Sequence, residues 1–245
     1  MSERNPNVVV TGGGSGIGLA IARVLHERGF QVTVCGRNEA KLQRTGLSYA
    51  VMDVCDDASI AEALQRIGRC DVFVANAGAA RTAPALKTDK ELWDAMIAVN
   101  LASVVRCSQM VIPQMLERKQ GRFIAIASTA SVKGYAYSAA YSAAKHGVLG
   151  WIRSLAIELA KSGVTANAVC PGFTDTPLLE NALDAVESRT GRVREEVLDQ
   201  FVKGNPMGRL IDPAEVAEAV AWLASEGAAS VNGQAILIDG GETIS

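Results

Sequence analysis

Histidine is scarce in this sequence: two residues among 245, at positions 26 and 146. Imidazole is the commonest metal ligand, so a histidine-based metal site is not expected. His26 falls in an amphipathic helical pattern and reads as a surface or packing residue. Aromatic residues make up only 5%, and none is interleaved with Lys or Arg as a nucleic-acid platform requires. No basic run occurs, and the formal net charge is -2. No field therefore favours nucleic acid or an anionic membrane surface, and neither partner is expected. The five cysteines, at 35, 55, 70, 107 and 170, are odd in number and widely spaced, with no CxxC pair. They argue against a disulfide framework or a zinc ribbon and read as mostly buried free thiols in a reducing compartment. A cytoplasmic location is expected. The start, Met1 to Asn7, is polar, and Val8-Val9-Val10 is too short for a signal-peptide core. No uninterrupted apolar stretch reaches the length of a membrane span.

What is present is alternation. Hydrophobic residues make up 49% and charged residues 20%, as in a soluble globular protein. The length suits one large α/β domain and is tight for two. Short β-branched runs (Asn7 to Thr11, Gln31 to Cys35, Ser48 to Asp53, Asp71 to Ala75, Arg122 to Ala127, Val164 to Val169, Ala235 to Asp239) read as seven strands. Between most of them lie segments with apolar residues at helical spacing. Only a very short connection joins the second and third strands. A long helical region, Asp89 to Lys119, contains Pro113, which is expected to kink it. Pro213 to Ser225 opens with Asp212 as N-cap and Pro213 at the first position. The pattern predicts a doubly wound parallel sheet of Rossmann type, covered on both faces, as a single domain. One stretch breaks the rhythm. Phe173 to Leu210 is long and polar and follows the sixth strand's carboxyl end, where open α/β sheets bind ligands. Its helix-like pieces, Leu178 to Glu187 and Val193 to Val202, flank Gly191 and read as a substrate lid.

The first strand ends in Thr11-Gly12-Gly13-Gly14-Ser15-Gly16-Ile17-Gly18 and opens a helix. Glycines let the backbone turn sharply beside a phosphate, and the helix start supplies N–H groups for it. The spacing is G-x-x-x-G-x-G rather than G-x-G-x-x-G, so the context of strand, turn and helix carries the reading. Further on, Tyr141 and Lys145 stand four apart on one helix face. A tyrosine with an ordinary pKa near 10 is a poor base at neutral pH, and a nearby ammonium is expected to lower it. Tyr135 and Tyr137 are close by, but only Tyr141 has a lysine four residues later. Ser128 closes the fifth strand, placed to hold a carbonyl oxygen.

These residues resemble the short-chain dehydrogenase/reductase family, over nearly the whole chain. The segment 11 to 18 is similar to its phosphate-binding turn, with Gly12, Ser15, Gly16, Ile17 and Gly18 as cofactor contacts. Asp53-Val54 resembles the pair whose acid meets the adenine amine, and Asn76-Ala77-Gly78 the motif that ends strand four. Ala75 departs from the asparagine often found before that motif. Asn100, Ser128, Tyr141 and Lys145 fall where the family has its catalytic tetrad. Pro171-Gly172 followed by Thr176 resembles the segment that meets the nicotinamide amide. The resemblance implies that Tyr141 exchanges the carbonyl proton and Ser128 polarises the oxygen. It implies also that Lys145 holds the nicotinamide ribose and lowers the tyrosine pKa, and that Asn100 helps place a relay water.

Val34-Cys35-Gly36-Arg37, Val169 to Phe173 and Asn232 to Ala235 are similar to β-ketoacyl reductases, which points to a 3-oxoacyl or 3-hydroxyacyl thioester. The remaining readings are a dehydrogenase of a small cyclic or aromatic alcohol, a non-catalytic dinucleotide-binding regulator, and an epimerase or dehydratase. The last class usually has a longer C-terminal region than one ending at Ser245. No acid stands at the tip of the second strand, where NAD enzymes place one, and Arg37 suits the 2′-phosphate of NADP. NADP is therefore expected, with NAD as the alternative. Ser15 stands where many NADP-using relatives carry a second basic residue. Relatives pair through the helices that begin near Asp89 and Tyr141, so a homotetramer is expected, with a dimer as runner-up.

Overall fold

Val8, Val9 and Val10 form the centre of strand β1 (Asn7–Thr11), and their side chains alternate between two layers. Val9 joins one apolar core, while Val8 and Val10 join the other. The same alternation separates Phe73 from Val72 and Val74, and Phe123 from Ile124. Strands buried on both faces need such near-continuous β-branched runs. The chain is seen in a computed structural model that describes residues 5–244; the first four residues of the polar start lie outside the described residues.

From β1 the chain runs through α1 (Gly16–Glu27), β2 (Gln31–Gly36), α2 (Glu39–Gln43), β3 (Ser48–Val51), α3 (Asp57–Ile67) and β4 (Val72–Ala75). It continues through α4 (Lys90–Ile97), α5 (Ser103–Arg118), β5 (Gly121–Ile126), α6 (Ala139–Leu159) and β6 (Val164–Pro171). Last come α7 (Pro177–Thr190), α8 (Arg194–Lys203), α9 (Pro213–Ala224) and β7 (Ala235–Ile238). The strands form one seven-stranded sheet in the order β3-β2-β1-β4-β5-β6-β7, and every neighbouring pair is parallel. The order reverses between β1 and β4, so the crevice between their carboxyl ends is the expected ligand position in such a sheet.

Helices α3, α5 and α6 cover one face, with Ile60, Val111 and Ile152 fully buried. Helices α1 and α9 cover the other, with Ile21, Leu25, Val216 and Val220 fully buried. Each such side chain contributes roughly 1.5–3 kcal/mol by leaving water. Side-chain caps set the helix starts: Asp56 for α3, Asp89 for α4 and Thr176 for α7. Asp212 and Glu215 form a full capping box on α9, with Pro213 in the first turn.

Four local features differ from the sequence reading. The connection between β2 and β3 contains helix α2, capped by the Asn38 side chain on the Lys41 N–H. Strand β3 stops at Val51 instead of Asp53. The long helix after Asp89 is interrupted by a π turn at Ala98–Ala102, whereas Pro113 sits inside continuous α5. An i→i+5 turn has no composition signature, unlike proline, and such turns frequently mark functional positions. Finally, the helical run Lys90–Arg118 is long and apolar enough to cross a membrane by length and composition, although Asn100, Arg106 and Gln109 interrupt its apolar runs. In this fold Met96, Val104, Cys107, Val111 and Met115 of the run are buried against the sheet and α6.

Candidate active site

Gly12 and Gly16 have φ of 67° and 53°, a region that side-chain-bearing residues adopt only with strain. A Cβ on Gly12 would stand 2.9 Å from the Asn76 Nδ2, and one on Gly18 2.5 Å from the same atom. Asn76 occupies that space because its Nδ2 donates to the Thr11 carbonyl at 2.9 Å. The Thr11 hydroxyl completes the brace. It donates to the Val74 carbonyl and accepts from the backbone N–H groups of Asn76 and Ala77, each at 3.0 Å. The glycine turn is thus pinned to the end of β4. Ser15, the N-cap of α1, makes no side-chain cap bond. The first-turn N–H groups of α1 keep their anion-binding capacity toward the cleft.

That cleft, of about 220 Å³, gathers Gly12, Ser15, Gly16, Ile17, Gly18, Asn76, Ala77, Gly78, Asn100, Tyr141, Lys145 and Thr176 in one lining. It adds Ala79, Ile126, Ala127, Pro177 and Leu178, small or apolar residues with no chemical signature in the sequence. A second cleft of about 310 Å³ lies between the starts of α4 and α6, lined by Trp93, Asp89 and Lys90 among others. Its charged groups are already engaged, Asp89 in a helix cap and Lys90 with Asp94.

Lys145 is 5% exposed, and its ammonium donates to the Ile126 carbonyl at 2.8 Å. Burial pulls its pKa down from 10.5 to about 8. The ammonium lies 5.7 Å from the centre of the Tyr141 ring. Burial pushes the Tyr141 phenol above its ordinary value; a hydrogen bond from Ser128 works against that, and the Cys170 thiol adds to the rise. The expected lowering of the phenol by Lys145 does not appear. The ammonium sits against the ring face and spends a proton on Ile126, so desolvation wins. Tyr141 keeps its proton at neutral pH.

Ser128 also accepts from the Ala130 N–H at 3.1 Å, which caps a short 3-10 turn at Thr129–Ser131 and fixes its rotamer. The fully buried Asn100 lies within the π turn. Its Oδ1 accepts from the Ala79 N–H at 3.2 Å, while its Nδ2 donates to the Ala79 and Met96 carbonyls. That side chain anchors the segment after β4, with both of its polar atoms occupied by protein. Cys170, absent from the sequence reading of the site, is fully buried beneath Ser128, and burial raises its thiol to about 11. It is a neutral filler rather than a nucleophile.

Arg37, Asp53, Val54, Pro171 and Gly172 stand outside the cleft lining. Arg37 is exposed beyond the end of β2. The Asp53 carboxylate accepts from the Cys55 N–H at 2.9 Å, and Val54 is buried. Gly172 donates to the Ile238 carbonyl, and neighbouring Pro171 ends β6. The Thr176 hydroxyl caps α7 at the rim of the cleft.

A family model described as enoyl-(acyl carrier protein) reductase matches residues 12–243. A Streptomyces coelicolor protein named as a ketoacyl reductase is 40% identical over 95% of both chains. The 3-oxoacyl-(acyl-carrier-protein) reductase FabG of Vibrio cholerae is 37% identical, again over 95% of both. A crystal structure of an actinorhodin polyketide ketoreductase variant with NADPH superposes with a TM-score of 0.91, at 38% identity and 98% coverage of each chain. The chain belongs to the short-chain dehydrogenase/reductase family. Within it, the chain is similar to the β-ketoacyl reductases.

The buried ammonium makes stability depend on pH. Between about 8 and 10.5 the unfolded chain holds the Lys145 proton that the folded chain has released. Stability from this group therefore rises with pH across that window. Relative to Lys145→Met, the native protein should gain roughly 1–3 kcal/mol from pH 8 to pH 10.5 in urea unfolding. Parallel pH profiles for the two proteins would show that Lys145 titrates normally.

Proposed function

We propose that the protein is an NADP-dependent reductase that interconverts a ketone and a secondary alcohol, with 3-oxoacyl and 3-hydroxyacyl thioesters as its substrate class. The observation that carries this reading is one cleft with two kinds of wall. One wall is a glycine turn and an uncapped helix start, built for a pyrophosphate. The other is a protonated tyrosine beside a buried amine, with the Ser128 hydroxyl near enough to the phenol to act against its rise. A bound dinucleotide would supply the hydride. The residues of this chain manage the proton and the oxygen. Ser128 holds the carbonyl oxygen, and Tyr141 donates to it as general acid. Lys145, held by the Ile126 carbonyl over the Tyr141 ring, keeps a buried cation beside the phenol. The protonated phenol suits reduction near neutrality, and the alcohol-oxidising direction gains as pH rises. A non-catalytic regulator would not need a buried amine and a phenol held at such desolvation cost.

The cofactor preference rests on two cations. Arg37 follows Gly36, where an added Cβ would meet only the Leu42 side chain, at 3.5 Å. Glu39, the next acid, accepts from the Tyr49 hydroxyl. The second basic residue missing at Ser15 has a counterpart: Lys41 on α2 packs its Cβ 3.5 Å from the Cβ position of Gly14. Both cations suit a 2′-phosphate. The relative crystallised with NADPH supports the same choice; NAD is the alternative.

Residues 173–210 serve as the substrate lid in this reading. Leu179, Leu183 and Val197 form a small core of their own, apart from the sheet cores. Arg194 ties the two lid helices together through Glu180, Asp184 and Glu187. A unit packed chiefly on itself can move over the cleft without opening the sheet. Homotetramer assembly completes the reading, supported by apolar side chains exposed on α5, α6, α9 and β7, namely Leu116, Ile157, Trp222 and Leu237.

Three measurements test these assignments. Tyr141→Phe should fold normally, bind dinucleotide and lose at least about a hundredfold in kcat; near-normal turnover would remove Tyr141 as the acid. The native enzyme should have a higher kcat/KM with NADPH than with NADH, and Gly36→Asp should reverse that order by charge repulsion. Equal or better efficiency of the native enzyme with NADH would mean that Arg37 and Lys41 do not read a phosphate. Light scattering at micromolar concentration should give the mass of a tetramer, or of a dimer as the lesser assembly; a monomer would overturn the assembly.

A further inference from the structure

The tail after β7 carries a buried carboxylate that the chemistry above leaves unused. Glu242 is 3% exposed. Its Oε1 accepts from the Tyr135 hydroxyl at 2.5 Å, and the Lys133 ammonium stands 3.1 Å from the same oxygen. Lys133 also donates to the Glu242 backbone carbonyl at 3.4 Å. The Tyr135 oxygen lies 2.6 Å from the Thr129 hydroxyl. A phenol has one proton, and the carboxylate takes it, so Thr129 is the donor in that second bond. Thr129 is the residue next to Ser128. A chain of hydrogen bonds therefore runs from the tail to the neighbour of the oxygen-holding serine.

The same carboxylate touches two other parts of the cleft's frame. A Cβ on Gly172 would stand 3.0 Å from its Oε2, and one on Gly204, just past α8, 3.8 Å from its Oε1. A Cβ at 172 would crowd the carboxylate, which would have to give by a few tenths of an ångström. The Tyr135 ring meets Phe173 edge-on at 5.6 Å, and Phe173 meets Phe201 of α8 at 4.6 Å. The tail is itself fixed. Asp239 accepts from the N–H groups of Gly241 and Thr243, and Gly240 leaves room for the Asn205 side chain after α8. The segment 129–135, the end of β6 and the foot of the lid all converge on one side chain.

An ion pair between a buried Glu242 and a part-exposed Lys133 is a weak source of stability, because desolvating the buried charge offsets the attraction. Fold stability alone is a poor reason for this carboxylate, whereas fixed geometry is a good one. We propose that Glu242 is a positioning residue for the reaction: it holds segment 129–135, and through it the Ser128 hydroxyl, in register with the foot of the lid. This rests on the roles given above to Ser128 and Tyr141.

The test uses the full chain with NADPH and acetoacetyl-coenzyme A as probes, and hydrogen exchange as an activity-independent readout. Glu242→Ala should lower kcat by about tenfold or more while dinucleotide affinity stays within about twofold, the pattern of a misplaced catalytic group rather than a lost binding contact. Glu242→Gln, which keeps an acceptor oxygen for Tyr135, should recover most of that loss. The double variant with Tyr135→Phe should be no slower than Glu242→Ala, since both cut one chain of bonds. Exchange should rise in segments 129–135 and 173–204 of Glu242→Ala, and not in Tyr141→Phe. A folded Glu242→Ala with kcat within about twofold of native, or with unchanged exchange in both segments, overturns the proposal. If Glu242→Ala does not fold, Tyr135→Phe decides by the same two criteria. Turnover retained in Tyr141→Phe would instead sink the functional reading, and the exchange data would still judge the clamp.

Discussion

The bond from the Lys145 ammonium to the Ile126 carbonyl ties helix α6 to the end of β5, and the chemistry of the cleft depends on it. It gives an almost fully buried amine a protein partner. One acceptor does not repay the desolvation of a charge. The amine therefore lies near neutrality in its titration, and the neighbouring phenol stays protonated. Both departures have the same cause, the closeness of α6 to the strand ends. A more exposed lysine would be a plain surface cation, and Tyr141 would be an ordinary phenol.

This arrangement was partly legible before any fold was known. The four-residue spacing of Tyr141 and Lys145 puts them on one helix face whatever surrounds them. The valines of β1 and the glycines after them announce a strand and a turn by their own conformational preferences. What the spacing does not carry is direction and distance. It suggested an ammonium lowering the phenol, whereas the ammonium faces the ring and is held by Ile126. The π turn also aims the Asn100 side chain at the Ala79 backbone, which no spacing encodes. Orientation of a short polar side chain is set by tertiary neighbours, and no periodicity encodes those.

A second kind of feature escaped because it joins segments remote in the chain. Lys41 reaches the glycine turn only because a short helix forms where a bare connection was expected. Glu242 meets Tyr135 across 107 residues of sequence. Neither residue type stands out locally: an isolated lysine or glutamate in a polar stretch normally reads as a solvated charge. Their meaning is supplied by the parallel sheet. Each crossover returns the chain to the same edge, so the carboxyl ends of β1, β2, β4, β5, β6 and β7 and the segments leaving them converge there.

That convergence also explains the distribution of glycine around the site. Gly12, Gly18 and Gly172 each stand where a methyl group would meet a polar side chain, Asn76 for the first two and Glu242 for the third. At Gly12 and Gly18 the brace from Asn76 leaves no room for a Cβ, and at Gly172 a Cβ would crowd the Glu242 carboxylate. The glycine turn approaches β4 closely because Asn76 can then brace it. Gly172 leaves the tail carboxylate uncrowded as it reaches segment 129–135. Backbone without side chains costs conformational entropy on folding, and at these positions that cost is met by hydrogen bonds connecting separate strand ends. The cleft is therefore framed by bonds between segments rather than by apolar packing, while the two apolar cores beneath it hold the sheet on which those segments stand.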